Sequence, residues 1–256
     1  MAQEKTGLGN LGTYSAGDER VPHVSFADDQ VTIHDYRDSR YPSGKPVEVR
    51  WRDETFDPAE LTNMWVYFSY FGKVQGVAHT EVGFEFADGR CAVASFEVRT
   101  LEGQHYSIIK GFGRNFEMAL RWASERDILS RRFRWWEKGE IRTYMFEGDV
   151  THGAMVRLFR AFVDRTNELY EKPEWYNTAT NTCTTAMMDT VGRALPGQLP
   201  RTLRVLLPGM LPKLWARHGI IKYEGDFSDA LDDSLIIHRA LAIGDVEDFS
   251  VRLHGR

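Results

Sequence analysis

The sequence predicts an α+β domain in which an antiparallel sheet packs against helices. Two patterns carry this: period-two alternation recurs through the first hundred residues, and a long stripe with helical spacing follows later, with Gly and Pro as punctuation. The 256 residues are 42% apolar and 12% aromatic, enough for a proper core and too apolar for a disordered chain. A formal charge of -5, from 37 acidic and 32 basic residues, gives no general attraction to nucleic acid.

Residues 1–28 are polar and Gly-rich and read as a loose lead-in to one domain over 29–256. Val31–Tyr36 alternates as a short strand does, and Pro42, Gly44 and Pro46 then break the chain. Asp57-Pro58 is a cap and first turn for a short helix over Ala59–Met64. Trp65–Phe71 is a buried strand by composition, and His79–Phe86 and Cys91–Arg99 flank the hairpin signature Asp88-Gly89. A helix is expected over Asn115–Glu125 and more strand over Arg132–Phe146. Thr151 caps a longer helix with Met155, Leu158, Phe159, Phe162, Thr166 and Leu169 on one stripe, ended by Pro173. Thr182–Val191 reads as a further helix, closed by Gly192 and Pro196.

The hairpin register follows from parity. Thr80, Val82, Phe84 and Phe86 share one face, and Ala92, Ala94, Phe96 and Val98 share another. For both sets to lie on one side, paired residue numbers must sum to an even value. A three-residue loop of Ala87, Asp88 and Gly89, with Gly left-handed, pairs Phe86 with Arg90 and meets that condition. Carried along the ladder it sets His79 opposite Glu97, with Cβ atoms about 5 Å apart. A carboxylate there holds one imidazole nitrogen and turns the other outward; the alternative is an exposed polar face without a role.

Asn181-Thr182-Cys183-Thr184-Thr185 places a cysteine in the first turn of a helix capped by Asn181 or Thr182. Unpaired N–H groups and the positive dipole end favour a thiolate there and can hold an oxyanion. An inert buried thiol, or a bridge to Cys91, is the competing reading. Two cysteines make no disulfide scaffold, and no Cys/His zinc spacing occurs, so no metal or cofactor is expected.

The stretches VTIHDYRDSRY, AHTEVGFEFADGR, SFEVRTLEGQHYSIIKGFGRNFEMALRWASERD, YNTATNTCTTAMM and PGQLPRTLRVLLPGMLPKLWARHGII together resemble the Lnb N-terminal periplasmic domain family. That resemblance implies a circularly permuted papain-like (NlpC-type) thiol fold, with His79 and Cys183 at the family's histidine and cysteine and Glu97 as orienting acid. Arg99, Asn181, Tyr106 and Ser107 lie in the matching stretches and are the candidate substrate-binding residues. The best-understood members move an acyl chain from phospholipid to the amino terminus of bacterial lipoproteins. The resemblance therefore implies a periplasmic or cell-envelope location and a phospholipid, lipoprotein or peptide substrate. Competing readings are a thiol peptidase or amidase on envelope peptides, and a non-catalytic lipid- or protein-binding module.

No apolar run reaches the roughly 18 residues of a spanning helix, and the N-terminus lacks the apolar stretch of a secretory signal. Between Asp189 and Glu224 there is no acidic residue, while Arg193, Arg201, Arg204, Lys213, Arg217 and Lys222 alternate with Leu and Trp. Residues 196–222 thus suit a membrane-surface segment, against ordinary packing of short helices on the core. RRFRWWEK over 131–138 reads as a strand with one exposed face, and Glu125-Arg126-Asp127 as a charge network. The oligomeric state is not legible.

Overall fold

The computed structural model describes residues 12–42, 45–71, 78–136, 141–199 and 208–255. In chain order the elements are β1 (His23–Ala27), β2 (Gln30–Arg37), β3 (Trp51–Phe56), β4 (Leu61–Phe71), β5 (Ala78–Phe86), β6 (Cys91–Arg99), β7 (Glu117–Ser124), α1 (Glu125–Trp136), β8 (Ile141–Glu147), α2 (His152–Glu171), β9 (Glu174–Trp175), α3 (Cys183–Ala194), α4 (Leu211–Arg217), α5 (Phe227–Asp233), α6 (Ile237–Ile243) and α7 (Phe249–Leu253). The strands form a 9-stranded sheet in the order β1-β2-β7-β6-β5-β4-β8, with β3 on β2 and β9 on β7.

The fold class is α+β as expected, but the sheet is mixed. Strands β4 to β7 form an antiparallel meander, and β7 then lies parallel to β2 through Arg37 and Ala123. The chain from β2 returns to the same edge only after the whole meander, which lets it arrive in either direction.

Both faces of the central strands are covered. On one side Val82, Phe84, Phe86, Ala92, Ala94, Phe96, Leu120 and Trp122 meet α2 and α3. On the other, Tyr67, Cys91, Val93 and Ala123 meet α1, α6 and α7. The hairpin's polar face is therefore buried, and every residue of β5 is out of solvent. That burial forces its charged side chains to pair with one another.

Several elements differ from the sequence expectation. Within the lead-in, β1 pairs with β2 and Asp18 is buried, because Arg99 and Arg121 draw it into the sheet. Asp57 does cap at Ala59 N–H with Pro58 in the first turn, but the helix is one 3-10 turn over Pro58–Glu60 before β4 begins. The segment expected as a helix over Asn115–Glu125 is β7 followed by α1. Met118, Leu120 and Trp122 alternate with Ala119, Arg121 and Ala123, and burial on both faces masks the period-two signal. Of Arg132–Phe146, residues 132–136 end α1 and Ile141–Phe146 lie in β8, while positions 137–140 lie outside the described residues.

The capped helix α2 forms as expected, with Thr151 accepting from Ala154 N–H and its apolar stripe buried. Of residues 196–222, positions 200–207 lie outside the described residues. In the described remainder Leu211, Trp215, Ile220 and Ile221 are buried, with Trp215 edge-on to Phe68 at 5.9 Å, while Met210, Lys213, Arg217 and Lys222 are exposed. Among the described residues no helix is long and apolar enough to cross a membrane.

Candidate active site

The β5–β6 hairpin has the register that parity requires. Glu81 faces Ser95, Phe84 faces Ala92 and Glu85 faces Cys91; Phe86 N–H donates to the Arg90 carbonyl at 2.9 Å. Gly89 takes the left-handed conformation at φ 83°. Extended to the strand ends, this register brings His79 and Glu97 to one region, but they do not touch directly. His79 Nε2 lies 2.8 Å from Ser95 Oγ, and that hydroxyl lies 3.4 Å from Glu97 Oε1. Ser95 is thus an intermediary that pattern reasoning missed, although its place on the polar face was readable.

Glu97 is held by three guanidinium groups. Arg121 Nε and Arg131 Nη1 each donate to Oε2 at 3.1 Å, and Arg132 Nη2 donates to Oε1 at 3.3 Å. Arg132 also binds Glu81 at 2.5 Å, and Arg121 binds Asp18 at 2.8 Å. Burial alone would raise the Glu97 pKa, yet Arg131, Arg121 and Arg132 hold it well below the usual carboxylate range. His79, Glu81 and Glu97 cluster closely enough to suggest a cation site, but the guanidinium groups already supply the positive charge there. Arg131 and Arg132 belong to α1, not to a strand with an exposed face.

Burial first, and then Arg132, lowers the His79 pKa from 6.5 to about 3, so the imidazole is neutral over the ordinary pH range. Unfolding therefore takes up a proton between those two values. The stability contribution of His79 is complete above about pH 6.5 and declines as pH falls towards 3. The unfolding free energy of wild type minus that of His79→Gln, from urea curves at successive pH values, is expected to rise across this window and level off above it. A difference independent of pH would mean that the imidazole is solvated.

Cys183 opens α3. Thr182, not Asn181, is the N-cap: its Oγ1 accepts from Thr185 N–H at 3.1 Å, and Thr185 Oγ1 accepts from Thr182 N–H at 2.8 Å. Thr182→Ala is expected to lower stability by about 1 kcal/mol in thermal or urea unfolding. Asn181 instead donates to Glu174 and to the Trp175 carbonyl, tying the approach to α3 onto β9.

Both cysteines are free thiols, which removes the Cys91–Cys183 bridge. Burial raises the Cys183 pKa above its ordinary value, while Thr184 and Arg132 pull it down less strongly. Against the thiolate expected from the helix position, desolvation outweighs the Thr184 contacts and the Arg132 charge and favours the thiol.

Among the described residues no hydrogen bond joins Cys183 to His79. The sulfur lies 4.0 Å from Thr184 Oγ1 and packs against the core under α2 and α3. The imidazole instead faces Ser95 and lies 3.7 Å from Glu81 Oε1, on the α1 side. Helix α3 nevertheless packs on β5 and β6, and the Arg132 charge acts on both groups.

The remaining candidates are dispersed. Arg99 is buried and bonded within the protein, to Glu117 at 2.7 Å and to the Asp18 and Glu19 carbonyls, with its guanidinium over the Tyr14 ring. Pairing with a neighbouring acid therefore accounts for it. Tyr106 is exposed and shares a 2.8 Å hydroxyl contact with Tyr176, whose pKa burial raises. Ser107 accepts from Gly111 N–H through its carbonyl, in the loop that also receives Thr178.

Fold and site together define an α+β protein with a cysteine at a capped helix start on the α2 side of the sheet and a buried His–Ser–Glu chain on the α1 side. The chain belongs to the Lnb N-terminal periplasmic domain family, whose model matches residues 48–209, a span holding His79, Glu97 and Cys183. No curated protein and no solved structure matches it.

Proposed function

We propose that this domain performs thiol-dependent acyl transfer in the cell envelope through a permuted papain-like site, with Cys183 as nucleophile and His79 as base. The observation that carries the reading is the cysteine in the first turn of a capped helix, within the span matched by the family. Its own N–H and that of Thr184 are first-turn groups able to hold an oxyanion. Ser95 and Glu97 are positioning residues for the imidazole.

The resting pair is neutral. At attack the thiol proton passes to the imidazole as sulfur bonds to the ester carbonyl carbon. Collapse of the tetrahedral intermediate breaks the C–O bond, and the imidazolium returns the proton to the departing alcohol. An amine then attacks the thioester and releases the thiol. The step requires His79 and Cys183, which rest on opposite sides of the sheet, to be brought within hydrogen-bond reach by a rearrangement when substrate is bound.

Phospholipid carrying a labelled acyl chain, offered with a lipoprotein-type amino-terminal peptide, tests the reading. The expected results are label on Cys183 by peptide mass spectrometry and its transfer to the amine. Cleavage of envelope peptides with no label from lipid would replace acyl transfer by peptidase or amidase chemistry. An unchanged biological phenotype in Cys183→Ala would leave a binding module.

A further inference from the structure

We propose that Cys91, Glu125 and His254, completed by Glu85, form a binding site for one divalent metal ion of the zinc class on the α1 side of the sheet. Ligand atoms of Cys91, Glu125 and His254 all lie within 4.8 Å of one another. His254 Nε2 is 2.9 Å from Glu125 Oε1, and its Nδ1 is 3.4 Å from Glu85 Oε1. The side chains of His254 and Glu125 are 0% exposed and that of Glu85 is 1%.

Glu125 Oε2 is buried with no hydrogen-bond partner, and His254 Nδ1 has only its 3.4 Å contact with Glu85. A buried carboxylate oxygen left so is costly unless something else satisfies it, and both atoms are of metal-ligand type. The backbone also leaves room. A Cβ on Gly83 would lie 2.9 Å from Cys91 Sγ and 3.0 Å from the Tyr67 hydroxyl, so glycine is what allows these groups to converge. Cys91 also borders a cavity of about 320 Å³ together with Ser124, Arg126 and Phe249.

Neighbouring side chains orient the ligands as outer partners of metal sites do. Trp65 Nε1 donates to Glu85 Oε2 at 2.8 Å, and its ring stacks on His254 at 4.2 Å between centroids. The Tyr67 hydroxyl donates to Glu125 Oε1. One thiolate, one imidazole and carboxylates match zinc rather than calcium or magnesium, which take oxygen ligands.

A metal ion takes Cys91 as thiolate and His254 as neutral imidazole, so binding is expected to release the protons these groups carry and to weaken as pH falls. The ion would clamp α7 to β5, β6 and α1. Glu85, Cys91 and Glu125 lie within residues 48–209 and His254 lies beyond them, and none of the four is used by the chemistry proposed at Cys183.

Cobalt(II) titration of the chelator-treated full chain tests the site. A thiolate-to-cobalt charge-transfer band saturating at one equivalent is expected, together with zinc-dependent elevation of Tm. Cys91→Ala should abolish the band and Cys183→Ala should retain it. His254→Gln, at the end of the chain, should weaken binding at least about 10-fold and serves if Cys91→Ala does not fold. A folded chain that gives no band and retains no zinc would overturn the proposal, as would a band lost in Cys183→Ala and kept in Cys91→Ala.

Discussion

Cys183→Ala is expected to lower acyl transfer at least about 10³-fold while leaving the circular dichroism spectrum and melting behaviour close to wild type. The size follows from the proposed role. Without sulfur there is no thioester, and what remains is substrate binding and oxyanion stabilisation by the first-turn N–H groups. The mild structural effect follows from position: Cys183 is only partly buried, at the rim of the α2-side core, and the Thr182–Thr185 capping box does not depend on it. Single-turnover kinetics with labelled phospholipid gives the rate. Activity within about tenfold of wild type would remove Cys183 as nucleophile, whatever the fate of the overall fold. His79→Ala is expected to fall in the same direction, through loss of the base.

Arg37→Met is expected to destabilise the protein by about 3–5 kcal/mol, because it leaves Asp127 as an uncompensated buried charge. Arg37 Nε contacts both Asp127 oxygens at 3.0 Å, and Nη2 donates to Oδ1 at 2.7 Å. The two side chains are 1% and 0% exposed. Ser39 N–H and the Tyr41 hydroxyl also donate to the carboxylate, at 2.7 and 3.2 Å, but neither carries charge. Burial opposes the Arg37 charge, and Asp127 more than restores it, raising the guanidinium pKa. The pair ties β2 to the start of α1, beside the parallel contact of β2 with β7. Urea midpoints with an unchanged m-value measure the loss. Arg37→Met with Asp127→Leu should recover most of it, since removing both charges removes the desolvation penalty. A loss under about 1 kcal/mol would mean that water reaches this carboxylate.

Much of the fold was legible from local patterns. Parity in Thr80–Phe86 and Ala92–Val98 led to the correct loop and register, since side-chain alternation admits one solution. Thr151 and Thr182 marked true helix starts because capping chemistry is contained in four or five consecutive residues. β7 was mistaken for helix because a strand covered on both faces loses its alternating signature. The mixed sheet was not legible, since a parallel contact between β2 and β7 joins segments some eighty residues apart in sequence.

The candidate site divides in the same way. Cys183, His79 and Glu97 were readable as residue types in informative settings. Ser95, between His79 and Glu97, lies on the same strand as Glu97, but the arginines around the carboxylate come from β7 and α1. Cys91 shows the limit best. Its sequence neighbours contain no metal spacing, yet the fold brings Glu125 and His254 to its sulfur.

The amino-acid sequence by itself determined the capped helices, the hairpin register and the polar stripe along β5 and β6, because each depends on interactions between near neighbours. Only the tertiary structure decided that this stripe is buried. Covering it with α1, α6 and α7 removes water from a dense set of charges, and their mutual pairing then sets the protonation of His79 and Glu97.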